Sequence, residues 1–208
     1  MKNIVIAGTG GLASEVTEYI SDSNNDKLLG YLDCTDENMT KYDYTAPLLG
    51  HENNFVPKKD ICFLIAIANV EIGKKVAETL ISKGLKPYTL IHNTCQISKT
   101  ATIGEGNILA PFSMVGPKST IGNFNLINYY TAVTHDVRIG NWNSISPRTT
   151  ITGGVQIGDD NIFGTGVSIL PFKTVGNRCK VQSGVTVFKN IPDEHYAKTD
   201  TELNISKI

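Results

Sequence analysis

His135 and Asp136 stand side by side in the stretch Val133-Thr134-His135-Asp136-Val137-Arg138. Histidine changes charge near neutral pH, and an adjacent carboxylate can polarise the imidazole or raise its basicity, so the pair is suited to moving a proton. A second group lies near the start of the chain. Gly8-x-Gly10-x-x-Ala13 is followed, twenty residues beyond Ala13, by Asp33. Glycines at this spacing let backbone N–H groups reach a phosphate at a helix N-terminus, and they formally match the dinucleotide fingerprint. The phosphate could belong to NAD or to a nucleotide-linked sugar, and a tight turn with no ligand fits the same residues. Cys34, Cys62, Cys95 and Cys179 are far apart and form no C-x-x-C pair. They suit reduced thiols in a cytoplasmic protein better than a disulfide frame or a zinc site.

The element that must position His135 is a repeat. Stepping by six from Ile97 meets Ile97, Ile103, Leu109, Val115, Ile121, Ile127, Val133 and so on to Val187, sixteen apolar positions without an insertion. The next residue is often small, as at Gly104, Gly122, Gly140 and Gly158, and the chain holds 19 glycines in all. A period of six is neither the 2 of a lone strand nor the 3.6 of a helix. It suits a coil with three flat faces, one inward apolar side chain per face, and small or left-handed-tolerant residues at the corners. Three hexads make an 18-residue coil, so residues 97–192 predict about five stacked coils of a solenoid. The hexad resembles the signature of left-handed parallel β-helices. His135 then sits near a corner with its ring outward, and Gly153, 18 residues on, lies one coil above it. A zinc site built from three repeat histidines is excluded, because the repeat holds only His135.

The first half reads as alternating strand and helix: strand 3–8, helix 12–20, strand 27–32, strand 61–67, helix 70–82 and a last strand near 87–91. That alternation predicts a small parallel sheet of Rossmann type. The expected division is a Rossmann-like domain at 1–92, the β-helix at 93–192 and a polar tail at 193–208. So short an α/β domain holds about one mononucleotide-binding half, and no hydride-transfer domain follows it, which counts against NAD. Lys plus Arg number 19 and Asp plus Glu 20, so the net charge of -1 argues against nucleic-acid or membrane-surface partners. No apolar run approaches the roughly 18 residues of a membrane span, and the N-terminus does not read as a secretory signal.

Short motifs along nearly the whole chain carry a resemblance: Gly8-Thr9-Gly10-Gly11, Tyr31-Leu32-Asp33, Leu49-Gly50, Ile65-Ala66-Ile67-Ala68-Asn69, Leu90-Ile91-His92, Thr134-His135-Asp136 and Gly153-Gly154-Val155-x-Ile157-Gly158. The chain resembles the bacterial sugar acetyltransferases with hexapeptide repeats, which include sialic acid O-acetyltransferases and N-acetyltransferases of nucleotide-linked 4-amino sugars. The resemblance implies His135 as general base, Asp136 as the residue that increases its basicity, and no metal. It implies acetyl-CoA as donor, lying between two β-helices of a cytoplasmic homotrimer and touching Gly153, Thr165, Ser183, Gln156 and Asn128. The Gly153 N–H would meet the thioester oxygen. Lys173, Arg178, Lys180 and Lys189 are candidates for the CoA phosphates. The nucleotide-sugar would be held by Gly10, Gly11, Leu12, Asp33, Cys34 and Ala68. The implied reaction is acetylation of a sugar 4-amine for surface glycan synthesis, with O-acetylation of sialic acid or another free sugar as the alternative. Two positions depart from the family pattern: Leu12 and Ser144 stand where histidines are common.

Overall fold

The structure is a computed structural model and describes residues 2–22 and 26–199. The chain opens with strand β1 (Asn3–Ala7), helix α1 (Gly11–Asp22), strand β2 (Lys27–Leu32) and a short helix α2 (Glu37–Lys41). Strand β3 (Ile61–Ile65), helix α3 (Val70–Ser82) and strand β4 (Lys86–Pro87) follow. The four strands form a parallel sheet in the order β2-β1-β3-β4. β1 is buried from Ile4 to Ala7, which explains its continuous apolar run. Helix α1 turns Ala13, Val16, Tyr19 and Ile20 inward, and α3 turns Gly73, Val76, Ala77 and Leu80. The Asn69 side chain caps α3 by accepting the Ile72 N–H.

Beyond β4 the chain winds into a three-sided prism. Among the described residues, eighteen two-residue strands form three parallel sheets of seven, six and five, so the prism has about six turns. Up to the last pair, strands pair with those 18 residues away, as Ala132–Val133 does with Met114–Val115 and Thr150–Ile151. The first face runs from Leu90–Ile91 to Tyr196–Ala197, the second from Gln96–Ile97 to Thr186–Val187, and the third from Thr102–Ile103 to Thr174–Val175. The repeat apolar residues fill the interior from Leu109 to Val187.

Several expectations need correction. The prism has six turns, not five, because it starts earlier and ends later than the unbroken hexads. The last strand expected near 87–91 is split. Lys86–Pro87 pairs with β3, while Leu90–Ile91 opens the first face of the prism. At the other end Tyr196–Ala197 pairs with Lys180–Val181, so residues before 200 extend the prism, and the rest of the expected tail lies outside the described residues. The strand expected at 61–67 ends at Ile65.

The corners are also not made mainly by glycine. Every sixth residue is left-handed, but the series runs through Phe112, Lys118, Phe124, Tyr130, Asp136, Trp142 and Arg148. The small residue after each apolar one serves stacking instead. A Cβ on Gly122 would lie 2.5 Å from the Gly140 carbonyl oxygen, so the next coil leaves no room for it.

The α/β domain sits on the first face. Ile108, Ala110 and Leu126 of the prism join Ile4, Ile6, Val16 and Leu64 in one core. At the edge between the third and first faces, Phe124 stacks on Trp142 at 4.4 Å and both pack against the domain. Lys74 of α3 pairs with Asp160 at 2.5 Å on the same edge. His92 is buried at the junction, its Nε2 3.2 Å from Asp22 and its Nδ1 2.8 Å from Thr94. Among the described residues, no helix is long and apolar enough to cross a membrane.

Candidate active site

His135 precedes the left-handed corner residue Asp136 on the edge between the second and third faces. The turn is fixed by the coils on either side: the Asp136 N–H donates to Pro117 O at 2.9 Å, and the Gly154 N–H donates to His135 O at 3.1 Å. This leaves the imidazole pointing outward, with its side chain 61% exposed. Nδ1 lies 2.8 Å from Asp136 Oδ2. A proton on Nδ1 donated to that carboxylate leaves Nε2 as the acceptor.

The ring rests on Gly153. A Cβ built there would stand 2.5 Å from His135 Cε1 and 2.6 Å from Nε2. Among the described residues the Gly153 N–H donates to no acceptor. The coil geometry accounts for this, since the equivalent positions one coil away on each side of the His135–Gly153 pair are Pro117 and Pro171, which have no N–H at all. A proton acceptor and an uncommitted backbone donor therefore lie side by side.

The second constellation is at the carboxyl ends of β1 and β2. Gly8 has φ +105°, and a Cβ on it would meet Ala66 O at 2.7 Å, so only glycine fits. Thr9 is buried and donates to Asp33 Oδ2 at 2.6 Å, while the Cys34 N–H donates to Asp33 Oδ1 at 2.7 Å. Burial pushes the Asp33 carboxyl up, but the hydrogen bonds from Thr9, Cys34 and Thr35 outweigh it and hold it below the usual carboxylate range. The exposed Cys34 thiol is pushed up by its contact with Asp33 and the neighbouring charge. Tyr44 Oη donates to the Thr9 and Gly10 carbonyls at 3.2 and 3.1 Å and braces the turn. Helix α1 starts at Gly11, and among the described residues the N–H groups of Gly11 and Leu12 have no acceptor. Such a helix start favours an anion.

Between the domain and the first face lies a cavity of about 240 Å³. Leu12 and Ala68 line it from the domain side, and Asn128 and Ser144 from the prism side, together with Glu15, Leu126 and Trp142. Leu12 and Ser144, the two departures from the family pattern, therefore line one cavity from its two sides.

The remaining candidates are dispersed. Thr165 and Ser183 lie one coil apart beside Gly166 and Gly184, at the edge between the first and second faces, and Gln156 lies on the third face. The expected basic cluster does not converge. Arg178 is paired with Glu194 at 2.8 Å, Lys180 is on the first face, and Lys173 and Lys189 follow second-face strands. Sequence reasoning missed Glu15, three residues after Leu12 on the same helix face, and the Tyr129 beside it. It also missed the buried column Asn107, Asn125, Asn143 and Asn161, whose 18-residue spacing was available as a signal.

Comparisons with known proteins find one family model, a curated relative and solved structures of the same architecture. Residues 3–80 match the family model of the PglD N-terminal domain. UDP-N-acetylbacillosamine N-acetyltransferase of Bacillus subtilis (strain 168) is 34% identical over 113 residues, 52% of this chain and 51% of that protein. The match thus spans about half the length of that curated relative. The H141N mutant of perosamine N-acetyltransferase from Caulobacter crescentus, solved with CoA and GDP-perosamine, is 23% identical with a TM-score of 0.84, covering 94% of this chain and 93% of that one. The acetyltransferase domain of PglB from Neisseria gonorrhoeae FA1090 is 22% identical with a TM-score of 0.84, covering 94% and 96%. The architecture is therefore the expected one, a small Rossmann-like domain followed by a left-handed parallel β-helix.

Proposed function

We propose that this protein is a cytoplasmic N-acetyltransferase that moves the acetyl group of acetyl-CoA to the 4-amine of a nucleotide-linked amino sugar. The observation that carries the reading is the seating of His135 on Gly153, which puts a free Nε2 beside an uncommitted N–H. As the amine attacks the thioester carbon, Nε2 takes its proton and the Gly153 N–H holds the oxyanion. Collapse of the tetrahedral intermediate breaks the C–S bond, and the imidazolium returns the proton to the CoA thiolate. Asp136 keeps the ring in the required tautomer. The relatives that bind CoA with GDP-perosamine or act on UDP-N-acetylbacillosamine support nucleotide-linked acceptors over free sugars.

The placement of the candidates favours a homotrimer. In a triangular prism, the edge bearing His135 is opposite the first face, where the α/β domain and its cavity lie. Likewise Asn128, Thr165 and Ser183 follow first-face strands, whereas His135 and Gly153 stand across the second face. Both sets meet one donor only if the edge between the first and second faces of one prism lies beside the edge between the second and third faces of another. Phe112, Met114, Tyr130, Leu170, Phe172 and Phe188 are exposed on the second face or its edges, an apolar surface for a neighbouring prism to cover.

The test is thiol release from acetyl-CoA against UDP-, dTDP- and GDP-linked amino sugars, with free amino sugars and sialic acid as controls. Turnover of a nucleotide-linked amine alone is expected. Equal turnover of a free sugar would overturn the reading, and a fully active monomer in sedimentation equilibrium would overturn the trimer.

A further inference from the structure

We propose that Glu15 selects the acceptor sugar by accepting a hydrogen bond from a donor group on it, a hydroxyl or an amide N–H. This rests on the reading above and concerns the cavity between α1 and the first face. Fifteen residues line that cavity, and Glu15 is the one ionisable side chain among them. The other walls are apolar, as at Leu12, Ile67, Ala68 and Leu126, or neutral, as at Asn128 and Ser144.

Position identifies which part of the acceptor arrives here. The uncommitted N–H groups at the start of α1 suit the pyrophosphate, and Asp33 lies to one side of that turn, at the end of β2. The cavity lies on the other side, between the turn and the prism. Ligand pockets that take a whole drug-sized molecule hold roughly 300–1,000 Å³. The 240 Å³ here suits a single ring. With the nucleoside towards Asp33, the ring that enters is the sugar.

Glu15 is held ready for it. Its Oε2 accepts from Tyr19 Oη at 3.3 Å, and Tyr129 of the prism adjoins the same carboxyl. Burial first, and then Glu15, push both tyrosine hydroxyls up, which keeps them as protonated donors to the carboxyl. Tyr19 and Tyr129 are two donors, whereas a carboxylate has about four lone-pair sites, so acceptor capacity remains on Glu15. A donor on the ligand would use that capacity in a partly buried, mostly apolar-walled site, where an unmet hydrogen bond is costly. The competing role is a mechanical one, a staple that ties α1 to the prism through Tyr129.

Glu15→Gln separates the two roles, because the amide oxygen can still accept from Tyr19 and Tyr129 while the charge is lost. The measurements are KM and kcat for the best nucleotide-linked amino sugar, Ki for the bare nucleoside diphosphate, and Tm. The expected result is a KM raised roughly tenfold, as for loss of a charge-assisted bond, with kcat, Ki and Tm nearly unchanged. Tyr129→Phe should do the reverse, lowering Tm with little change in KM. An unchanged KM in Glu15→Gln overturns the proposal, and so does an equal rise in Ki, which would place Glu15 on the nucleotide. If Glu15→Gln loses Tm, a tenfold rise in KM for Tyr129→Phe also overturns it. Wild-type enzyme inactive on every nucleotide-linked amine overturns both this proposal and the functional reading, whereas an active wild type with an unaffected variant overturns this proposal alone.

Discussion

Gly153→Ala tests whether the seat of the His135 ring matters, because the substitution changes that and little else. The new Cβ would lie 2.5 Å from Cε1 and 2.6 Å from Nε2, where ordinary contact begins at about 3.4 Å. The ring must therefore withdraw by roughly 1 Å, a displacement that can cost about 10²-fold in rate, or about 2.7 kcal/mol of transition-state stabilisation. Stability should hardly suffer. Gly153 is outside the left-handed region, so alanine is not strained there, and the displaced ring is exposed and free to move into solvent. The N–H is retained, so the loss reports ring position and not removal of the oxyanion donor. Gly154→Ala is the contrast. That residue has φ +72°, so alanine there should destabilise by about 1–2 kcal/mol while leaving the ring on its seat. The assay is steady-state thiol release at saturating substrates, with thermal unfolding of the same preparations. If Gly153→Ala kept kcat within about threefold of wild type, the ring seat would be catalytically irrelevant. A Tm drop of many degrees would show that the backbone, not the ring, yields to the new methyl group.

Three further outcomes are expected. His135→Asn should lower kcat by roughly 10²–10⁴-fold, the usual size of general-base help, with acetyl-CoA affinity by calorimetry and Tm unchanged. Asn143→Ala should destabilise by about 3 kcal/mol or more in denaturant unfolding, because the buried Asn143 donates to Asn125 Oδ1 and Gly158 O and accepts from Asn161, and each orphaned group costs about 1–3 kcal/mol. Asp33 is held below the ordinary carboxylate range, so its contribution is complete above about pH 4 and is lost as pH falls through the folded-state value. Asp33→Asn should flatten that acid limb of the stability profile, and Asp33→Ala should raise KM for the nucleotide-sugar roughly tenfold without moving KM for acetyl-CoA.

What could be read from the sequence was whatever repeats or is locally buried. A residue at every sixth place that must face a narrow core leaves a period that chemistry cannot disguise, so the prism and the register of Ile97 to Val187 were legible. β2 and α3 were legible for the same local reason, a strand buried over its second half and a helix with one buried face. The corner chemistry was not. The left-handed residue of each turn points outward and is free to be Phe, Lys, Asp or Trp, so its type carries no signal, while the conspicuous glycines answer to the stacking of one coil on the next. The asparagine column shared the spacing of the compact residues but not their chemistry. It is visible only when its polar groups are asked where their hydrogen bonds go.

The candidate residues could be placed from the sequence in pairs and not as a whole, and the prism explains why. Residues 18 apart lie one above the other, so His135 with Gly153, and Thr165 with Ser183, could be matched by arithmetic alone. Residues 30 apart, such as His135 and Thr165, stand on different edges of one prism, and no spacing within a single chain brings them together. Leu12, Glu15, Ala68 and Ser144 obey no spacing either, because they meet only where the α/β domain docks on the first face. Periodicity thus supplies contacts within a coil stack and docking supplies the cavity, while in the proposed trimer a second copy of the chain would join them. For the proposed reaction neither constellation would suffice alone, since among the described residues no histidine lines the cavity and the His135 side chain is largely exposed. An enzyme assembled this way should lose turnover on dissociation even while each separated chain keeps its fold.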